Sequence, residues 1–272
     1  MSNKVALITG ASSGIGYAVA LEFQKKGFTV YGAARRIERM SGFQKKGIHT
    51  ISLDVTNDES MVNCVNSIIE KEGCIDVLVF NAGYGSYGAI EDVPLDEARR
   101  QVEINVFGLA RMIQLVLPKM REHKYGKIVN ISSMGGKIWT PFGGWYHATK
   151  FAVEGFSDCL RMEVRPYGID VIVVEPGGVA SEWGNIAANN LIKASGKGAY
   201  AKEAVRTAEA TKKTYAGNVT KPEVIAKCIV KAVTVKKPKT RYLLGSGAKL
   251  MVYMKKLLGD RLYDRVVLKF MQ

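Results

Sequence analysis

Seven short apolar runs rich in β-branched residues, separated by longer stretches of helical spacing, restrict this chain more than any other feature of its sequence. Runs at 4–9, 28–33, 48–53, 76–80, 127–132, 169–175 and 241–244 read as strands, and 14–26, 57–72, 96–123, 144–166 and 221–234 as helices. Alternation of this kind predicts an α/β fold: a doubly wound, mostly parallel seven-stranded sheet with helices on both faces. Thr56 and Asn57 are the cap candidates of the helix over 57–72. After Pro176 the alternation lapses. Residues 181–218 mix Gly, Asn, Ala and Lys with weak periodicity and read as a loop-helix insertion, while 248–271 give two amphipathic helical segments separated near Gly259. The expected organisation is a single domain over 1–247, insertion included, followed by a basic amphipathic extension over 248–272.

A chain of 272 residues can bury roughly 70–75% of the surface that its unfolded form exposes, so folding requires no staple. Cys64, Cys74, Cys159 and Cys228 show no CxxC spacing and no neighbouring His cluster, which argues against a metal site or a disulfide framework and for a reducing compartment. No apolar run reaches the ~18 residues of a membrane span. Met1 to Lys4 leads straight into Val5-Ala6-Leu7-Ile8, without a charged leader and cleavage site, so the expected location is cytoplasmic. Charge is distributed unevenly: residues 1–192 hold 20 Lys and Arg against 20 Asp and Glu, residues 193–272 hold 19 against 5. A balanced body with no recognisable binding module weighs against nucleic acid as a partner. The basic end points to a local anionic partner, a membrane surface, or a solvated face.

The first strand runs into Thr9-Gly10-Ala11-Ser12-Ser13-Gly14-Ile15-Gly16 and a helix follows at once. Glycines let such a turn approach a pyrophosphate, which then sits on the free N–H groups and positive dipole end of the helix. The spacing is GxxxGxG, and a tight strand-to-helix turn needs glycine in any case. A fold that prefers NAD should offer a carboxylate to the ribose about 20 residues on. Here the second strand ends Gly32-Ala33-Ala34-Arg35-Arg36. Two guanidiniums suit the 2′-phosphate of NADP(H), with Ser12 adding a hydroxyl; two solvated arginines are the alternative. Asp54 and Asn81-Ala82-Gly83 end the third and fourth strands, on the side of a parallel sheet where ligands bind, and Asp54 can accept from an adenine amino group; a helix-capping Asp and a turn Asn are the alternatives.

Tyr146-His147-Ala148-Thr149-Lys150 places a phenol and an ammonium on one helix face, where the charge favours phenolate and lowers the tyrosine pKa. Ser133, thirteen residues upstream and just past the fifth strand, can polarise a carbonyl held against Tyr146. Asn105 is an amide in an apolar helical stretch: taken alone it reads as a satisfied buried amide, and it is also able to hold a water that links Lys150 to solvent. His147 reads as a variable position.

In their order along the chain, Thr9-Gly10-x-x-x-Gly14-x-Gly16, Asp54, Asn81-Ala82-Gly83, Asn105, Ser133, Tyr146, Lys150 and Pro176-Gly177 resemble the short-chain dehydrogenase/reductase family, a Rossmann fold. The resemblance covers about residues 4–180; Asn81-Ala82-Gly83-Tyr84-Gly85 and the extended C-terminus are most similar to the 17β-hydroxysteroid and retinol dehydrogenase-like group. It implies Tyr146 as general acid/base, Lys150 on the nicotinamide ribose, Ser133 orienting the substrate oxygen and Asn105 completing a proton relay. It further implies that Pro176, Gly177, Gly178 and Val179 line the nicotinamide. Ser181 stands where the family usually has threonine and keeps the hydroxyl.

The expected activity is NADP(H)-dependent interconversion of a carbonyl and an alcohol on a hydrophobic small molecule. Trp139 and Phe142, between Ser133 and Tyr146, are expected to wall the substrate space, with Trp183 closing from the opposite side. A catalytically idle NADP-binding sensor is the rival reading, against which the intact Ser133, Tyr146 and Lys150 count. The segment 248–271 has two readings. Its stripe of Leu250, Met251, Met254, Leu257, Leu258, Leu262, Val266, Val267 and Phe270 either packs over the cleft or a neighbouring subunit, or lies on an anionic membrane.

Overall fold

Strands buried on both faces read as unbroken apolar runs, and this chain uses them to build a sheet covered on two sides. The computed structural model describes residues 3–271, with side chains through 269; Met1, where the leader reading begins, and the side chain of Phe270 lie outside the described residues. Strands β1 (Val5–Thr9), β2 (Thr29–Ala34), β3 (His49–Ser52), β4 (Val77–Phe80), β5 (Gly126–Ile131), β6 (Ile169–Pro176) and β7 (Arg241–Leu244) form one sheet in the order β3-β2-β1-β4-β5-β6-β7. Every pairing is parallel. Alternate residues of β1 face opposite layers: Val5 and Leu7 join one core, Ala6 and Ile8 the other.

Helices α1 (Gly14–Lys25), short α2 (Ser41–Gln44) and α9 (Pro222–Thr234) supply the second core, through Phe23, Phe43 and Ile229. The first is filled from α3 (Asp58–Glu72), α5 (Gly108–Glu122) and α6 (Gly144–Val164), through Val65, Met112 and Val153. Of the two cap candidates, Asn57 takes the N-cap of α3, its side chain accepting from Ser60 N at 2.8 Å. Strand order reverses between β1 and β4, so the crevice at their carboxyl ends is the natural ligand site.

The structure departs from expectation in two places. The helix expected over 96–123 is α4 (Leu95–Val102), a π turn over Glu103–Phe107, and α5. The widened turn, which often marks functional positions, carries Asn105. The expected loop-helix insertion is a pair of helices, α7 (Trp183–Ser195) and α8 (Ala201–Ala216). Their mutual core is Ala188, Leu191, Ala204 and Ala208, and alanines give little hydrophobic periodicity to read. The last helix, α10 (Ala248–Met271), breaks at Gly259 (φ +66°) as its sequence suggests. Tyr263 and Val267 are buried against Ile138, whereas Leu250 and Leu257 are 72% and 83% exposed. No helix among the described residues is long and apolar enough to cross a membrane.

Candidate active site

The turn after β1 is shaped by what cannot fit. Gly10 (φ +66°) and Gly14 (φ +55°) hold left-handed backbone, and a Cβ on Gly10 would stand 2.9 Å from Asn81 Nδ2. Ser13 caps α1 in extended conformation and spends no side-chain bond on the helix. Gly10, Ser12, Ser13, Gly14 and Ile15 therefore present a helix N-terminus to a cavity of about 1140 Å³. Arg35, Arg36, Asp54, Asn81, Ala82, Gly83, Pro176, Gly177, Val179 and Ser181 line the same cavity. Three expected cofactor contacts do not line it, and one of them, Gly178, is paired through its backbone with Ser246 and Thr220. Thr9 ties β1 to β4, its Oγ1 accepting from Asn81 N and Ala82 N at 3.0 Å each. Gly16 lets α1 approach β1, since a Cβ there would lie 2.4 Å from Gly10 O.

Arg36 Nη2 stands 3.8 Å from Glu182 Oε2, and Arg39 Nη1 donates to Glu182 Oε1 at 3.0 Å, so the residue before α7 is paired with the arginines after β2. Burial pushes the Asp54 carboxyl up, but bonds from Thr56 N (3.0 Å) and Thr56 Oγ1 (2.7 Å), with Arg35 and Arg100 nearby, hold it below its ordinary value. Asp54 Oδ1 is thus committed to the protein.

Ser133, Tyr146 and Lys150 share that cavity. Ser133 leaves β5, accepts from Gly135 N at 3.0 Å and donates to Pro176 O over a long 3.4 Å. Tyr146 and Lys150 are buried on α6, one turn apart. Lys150 Nζ donates to Ile131 O at 2.8 Å and lies 5.9 Å from the Tyr146 ring centroid. The expectation that Lys150 depresses the phenol pKa is not met in this state. Burial pushes Tyr146 up to about 12, with only the Ser133 side chain pulling it back, and burial draws Lys150 down to about 8, opposed by the charge of Glu154.

Asn105 is buried and bonded on both sides of its amide. Its Nδ2 donates to Tyr84 O and Thr149 Oγ1, both at 3.0 Å, and its Oδ1 accepts from Tyr84 N at 3.2 Å. With both amide hydrogens spent, the side chain fastens the Tyr84 segment to α6. His147 proves not to be a free position. Its Nε2 accepts from Thr140 N at 3.0 Å, which puts the ring proton on Nδ1, 2.9 Å from Gly135 O. Burial holds the ring below its ordinary pKa, so a neutral imidazole pins the Ser133 turn to α6.

The aromatic expectations divide. Trp139 is absent from the cavity wall: its Nε1 donates to Asp264 at 2.9 Å and its ring meets Tyr263 edge-on, because α10 covers that side. Phe142 packs against Tyr200 and the α7–α8 core, behind the wall rather than in it. Trp183 does line the cavity, 5.3 Å from the Tyr146 ring. Tyr87, which no spacing singled out, stands 5.8 Å from Tyr146 and 5.7 Å from Trp183. Gly85 makes this possible, since a Cβ would come 2.9 Å from Trp183 Cζ2 and 3.1 Å from Tyr146 Cδ2.

Known proteins are similar to this chain in sequence and in fold. The chain is 43% identical over 177 residues to 3-ketodihydrosphingosine reductase of Bacteroides thetaiotaomicron, covering 65% of this chain and 64% of that one. It is 33% identical to an NADPH-dependent 3-dehydrocapnine reductase of Ornithobacterium rhinotracheale, over 98% of this chain and 96% of the relative. Among solved structures, a short-chain dehydrogenase from Streptomyces avermitilis superposes with a TM-score of 0.81 at 35% identity, over 94% of this chain and 93% of that one. Residues 4–191 match the short chain dehydrogenase family, and with the Rossmann-type sheet in place the chain belongs to that family of oxidoreductases acting on CH–OH groups.

Proposed function

We infer that this protein is an NADPH-preferring reductase of a carbonyl on a hydrophobic small molecule, with Tyr146 giving the proton. The observation that carries the reading is one continuous cavity, in which the α1 N-terminus and Arg35 and Arg36 stand at one end and Ser133, Tyr146 and Lys150 meet Tyr87, Trp183, Ile186 and Leu191 at the other. The first end fits a dinucleotide: left-handed glycines, unspent helix N–H groups, and no carboxylate where β2 ends. NADPH, when bound, supplies the hydride.

The chain's own groups do the rest. A phenol raised to about 12 is neutral at working pH and is a donor to an oxygen gaining negative charge. The Ser133 hydroxyl, held by a long bond to Pro176 O, can exchange that bond for the substrate oxygen. Lys150, ammonium at neutral pH and fixed on Ile131 O, places positive charge beside the phenol and would hold a ribose hydroxyl of the cofactor. Trp183 and Tyr87 exclude water and give the substrate an apolar wall. The names of the two relatives, one NADPH-dependent and both reductases, support the cofactor and the direction. In the same reading, exposed Leu250, Tyr253 and Leu257, flanked by Lys249 and Lys256, rest on an anionic lipid surface.

The test is turnover of a panel of steroid, retinoid, long-chain aliphatic, aromatic and sugar carbonyls with NADPH and with NADH. Tyr146→Phe should lower turnover at least ~100-fold while leaving NADPH binding nearly intact. Near-normal turnover by that variant removes Tyr146 from the chemistry, and equal use of both cofactors removes the NADPH preference.

A further inference from the structure

Beneath the cavity lies a buried ionic group that the reading above does not use. Glu154 is one turn beyond Lys150 on α6, Lys137 follows the Ser133 turn, Glu175 precedes Pro176 at the end of β6, and Arg241 opens β7. Glu154 Oε2 pairs with Lys137 Nζ at 2.8 Å and with Arg241 Nε at 3.0 Å. Glu175 Oε1 is 3.3 Å from Arg241 Nε and 3.7 Å from Lys137 Nζ. Arg241 Nη2 also donates to Asp158 Oδ2 at 2.6 Å, and Asp158 pairs with Arg161, both on α6. The Glu154 and Glu175 side chains are only 6% and 4% exposed.

Lys137 and Arg241 thus serve Glu154 and Glu175, with Arg241 shared with Asp158, and the service is incomplete. Glu154 Oε1 and Glu175 Oε1 are each buried with no donor in hydrogen-bonding geometry. Buried carboxylate oxygens are rarely left so, and two ionised carboxyl groups this close repel one another. Glu154 Oε2 and Glu175 Oε1 lie 3.0 and 3.3 Å from the same atom, Arg241 Nε, which brings the two groups face to face. A single proton between them gives each an oxygen with a partner and cancels the repulsion.

The group also bears directly on the site. A Cβ on Gly136, in the Ser133 turn, would stand 3.0 Å from Glu154 Cγ and 2.8 Å from Ser132 Oγ, so the turn rests on the Glu154 side chain. Pro176, which accepts from Ser133, is bonded to Glu175.

We propose that Glu154 and Glu175 share one proton and act as a pair of positioning residues, fastening the Ser133 turn, the Lys150 helix and the Pro176 segment into one arrangement through Lys137 and Arg241. Burial, then the charge of Glu154, raises the affinity of Glu175 for that proton, while Lys137 and Arg241 oppose it. Loss of the proton as pH rises leaves two carboxylates facing each other, loosens the turn, and adds negative charge one turn from Lys150. The proposal deepens the active-site reading and rests on it for the roles of Ser133 and Lys150. Its test needs no substrate or cofactor, so either can fail alone.

The test compares the full-length protein with E175Q and E154Q by infrared spectroscopy, at about pH 6, above the ordinary carboxylate range, and at about pH 9. Wild type should show a protonated-carboxyl C=O band that vanishes at the higher pH, and E175Q should lack it. Hydrogen exchange of residues 133–140 supplies the positioning readout. Corrected for base catalysis, wild type should lose about tenfold more protection than E175Q over that interval, the effect of one pKa unit. If E175Q fails to fold, E154Q must remove the same band. A band that survives in the variant, or equal loss of protection in wild type and variant, overturns the proposal.

Discussion

Lys150→Met separates what the site costs from what it does. The Lys150 ammonium is buried with one protein partner, Ile131 O at 2.8 Å, and burial draws its pKa from 10.5 to about 8. That displacement corresponds to about 3 kcal/mol by which the folded state disfavours the charged form. Methionine removes the charge at nearly the same length but leaves Ile131 O without its donor, a loss of about 1–2 kcal/mol. Near neutral pH the variant should therefore be more stable by about 1–2 kcal/mol, and melt roughly 2–8 °C higher for a chain of this size.

The sign of the pH dependence follows from which state holds the proton. Between about pH 8 and 10.5 unfolded Lys150 is still protonated and folded Lys150 is not, so wild type gains stability as pH rises through that window. The variant lacks this gain, and its advantage should shrink and then vanish. Tyr146, whose pKa is displaced in the opposite direction, is present in both proteins and cancels in the difference. Thermal melts of both proteins without cofactor, at about pH 7 and about pH 10, are sufficient. A variant less stable than wild type at neutral pH, or a difference that does not move with pH, would refute the claim that Lys150 is held against its own solvation.

At the cofactor end, Arg35→Ala or Arg36→Ala should weaken NADPH roughly 10- to 100-fold and leave NADH nearly unchanged, as measured by fluorescence titration. Equal weakening of both cofactors would show that the arginines do not read the 2′-phosphate. Glu182→Gln frees Arg36 and Arg39 and should tighten NADPH a few-fold only, because the pairs are half exposed. Gly85→Val should push Trp183 away from Tyr146, raising KM about tenfold with an unchanged circular dichroism spectrum; an unchanged KM would mean that Trp183 does not wall the substrate space. Full-length protein should co-sediment with phosphatidylserine vesicles at low salt and lose that binding in a Leu250→Glu, Leu257→Glu double variant, neither residue being packed. No sedimentation of the parent protein would leave α10 as a cover alone.

The sheet was legible because each central strand is buried on both faces and each glycine turn stands at a strand end, features that depend on local sequence. That Ser133, Tyr146, Lys150 and the two arginines line one cavity was legible from strand ends and helix spacing together with the family resemblance, which singled out Ser133. What escaped depends on contacts through space. Trp139 belongs to α10 because Tyr263, 124 residues away, claims its carbonyl oxygen. Asn105 reads from its own helix as an amide that is either buried and satisfied or able to hold a water, and nothing in that helix announces its partners Tyr84 and Thr149. The depressed tyrosine pKa was inferred from spacing alone, whereas burial of both groups decides the direction. The helices α7 and α8 escaped because their contact surface is alanine.

That alanine surface has a consequence for how such an enzyme changes over generations. The α7–α8 pair is held by a small cluster of its own, separate from the two large cores on either side of the sheet. Substitutions at Ile186, Asn190, Leu191, Thr207 or Thr211 reshape the substrate end of the cavity, yet they draw on little of the stability that maintains the sheet and the cofactor turn. New substrate preferences can thus accumulate in this pair as nearly neutral drift, with the hydride and proton chemistry carried forward untouched.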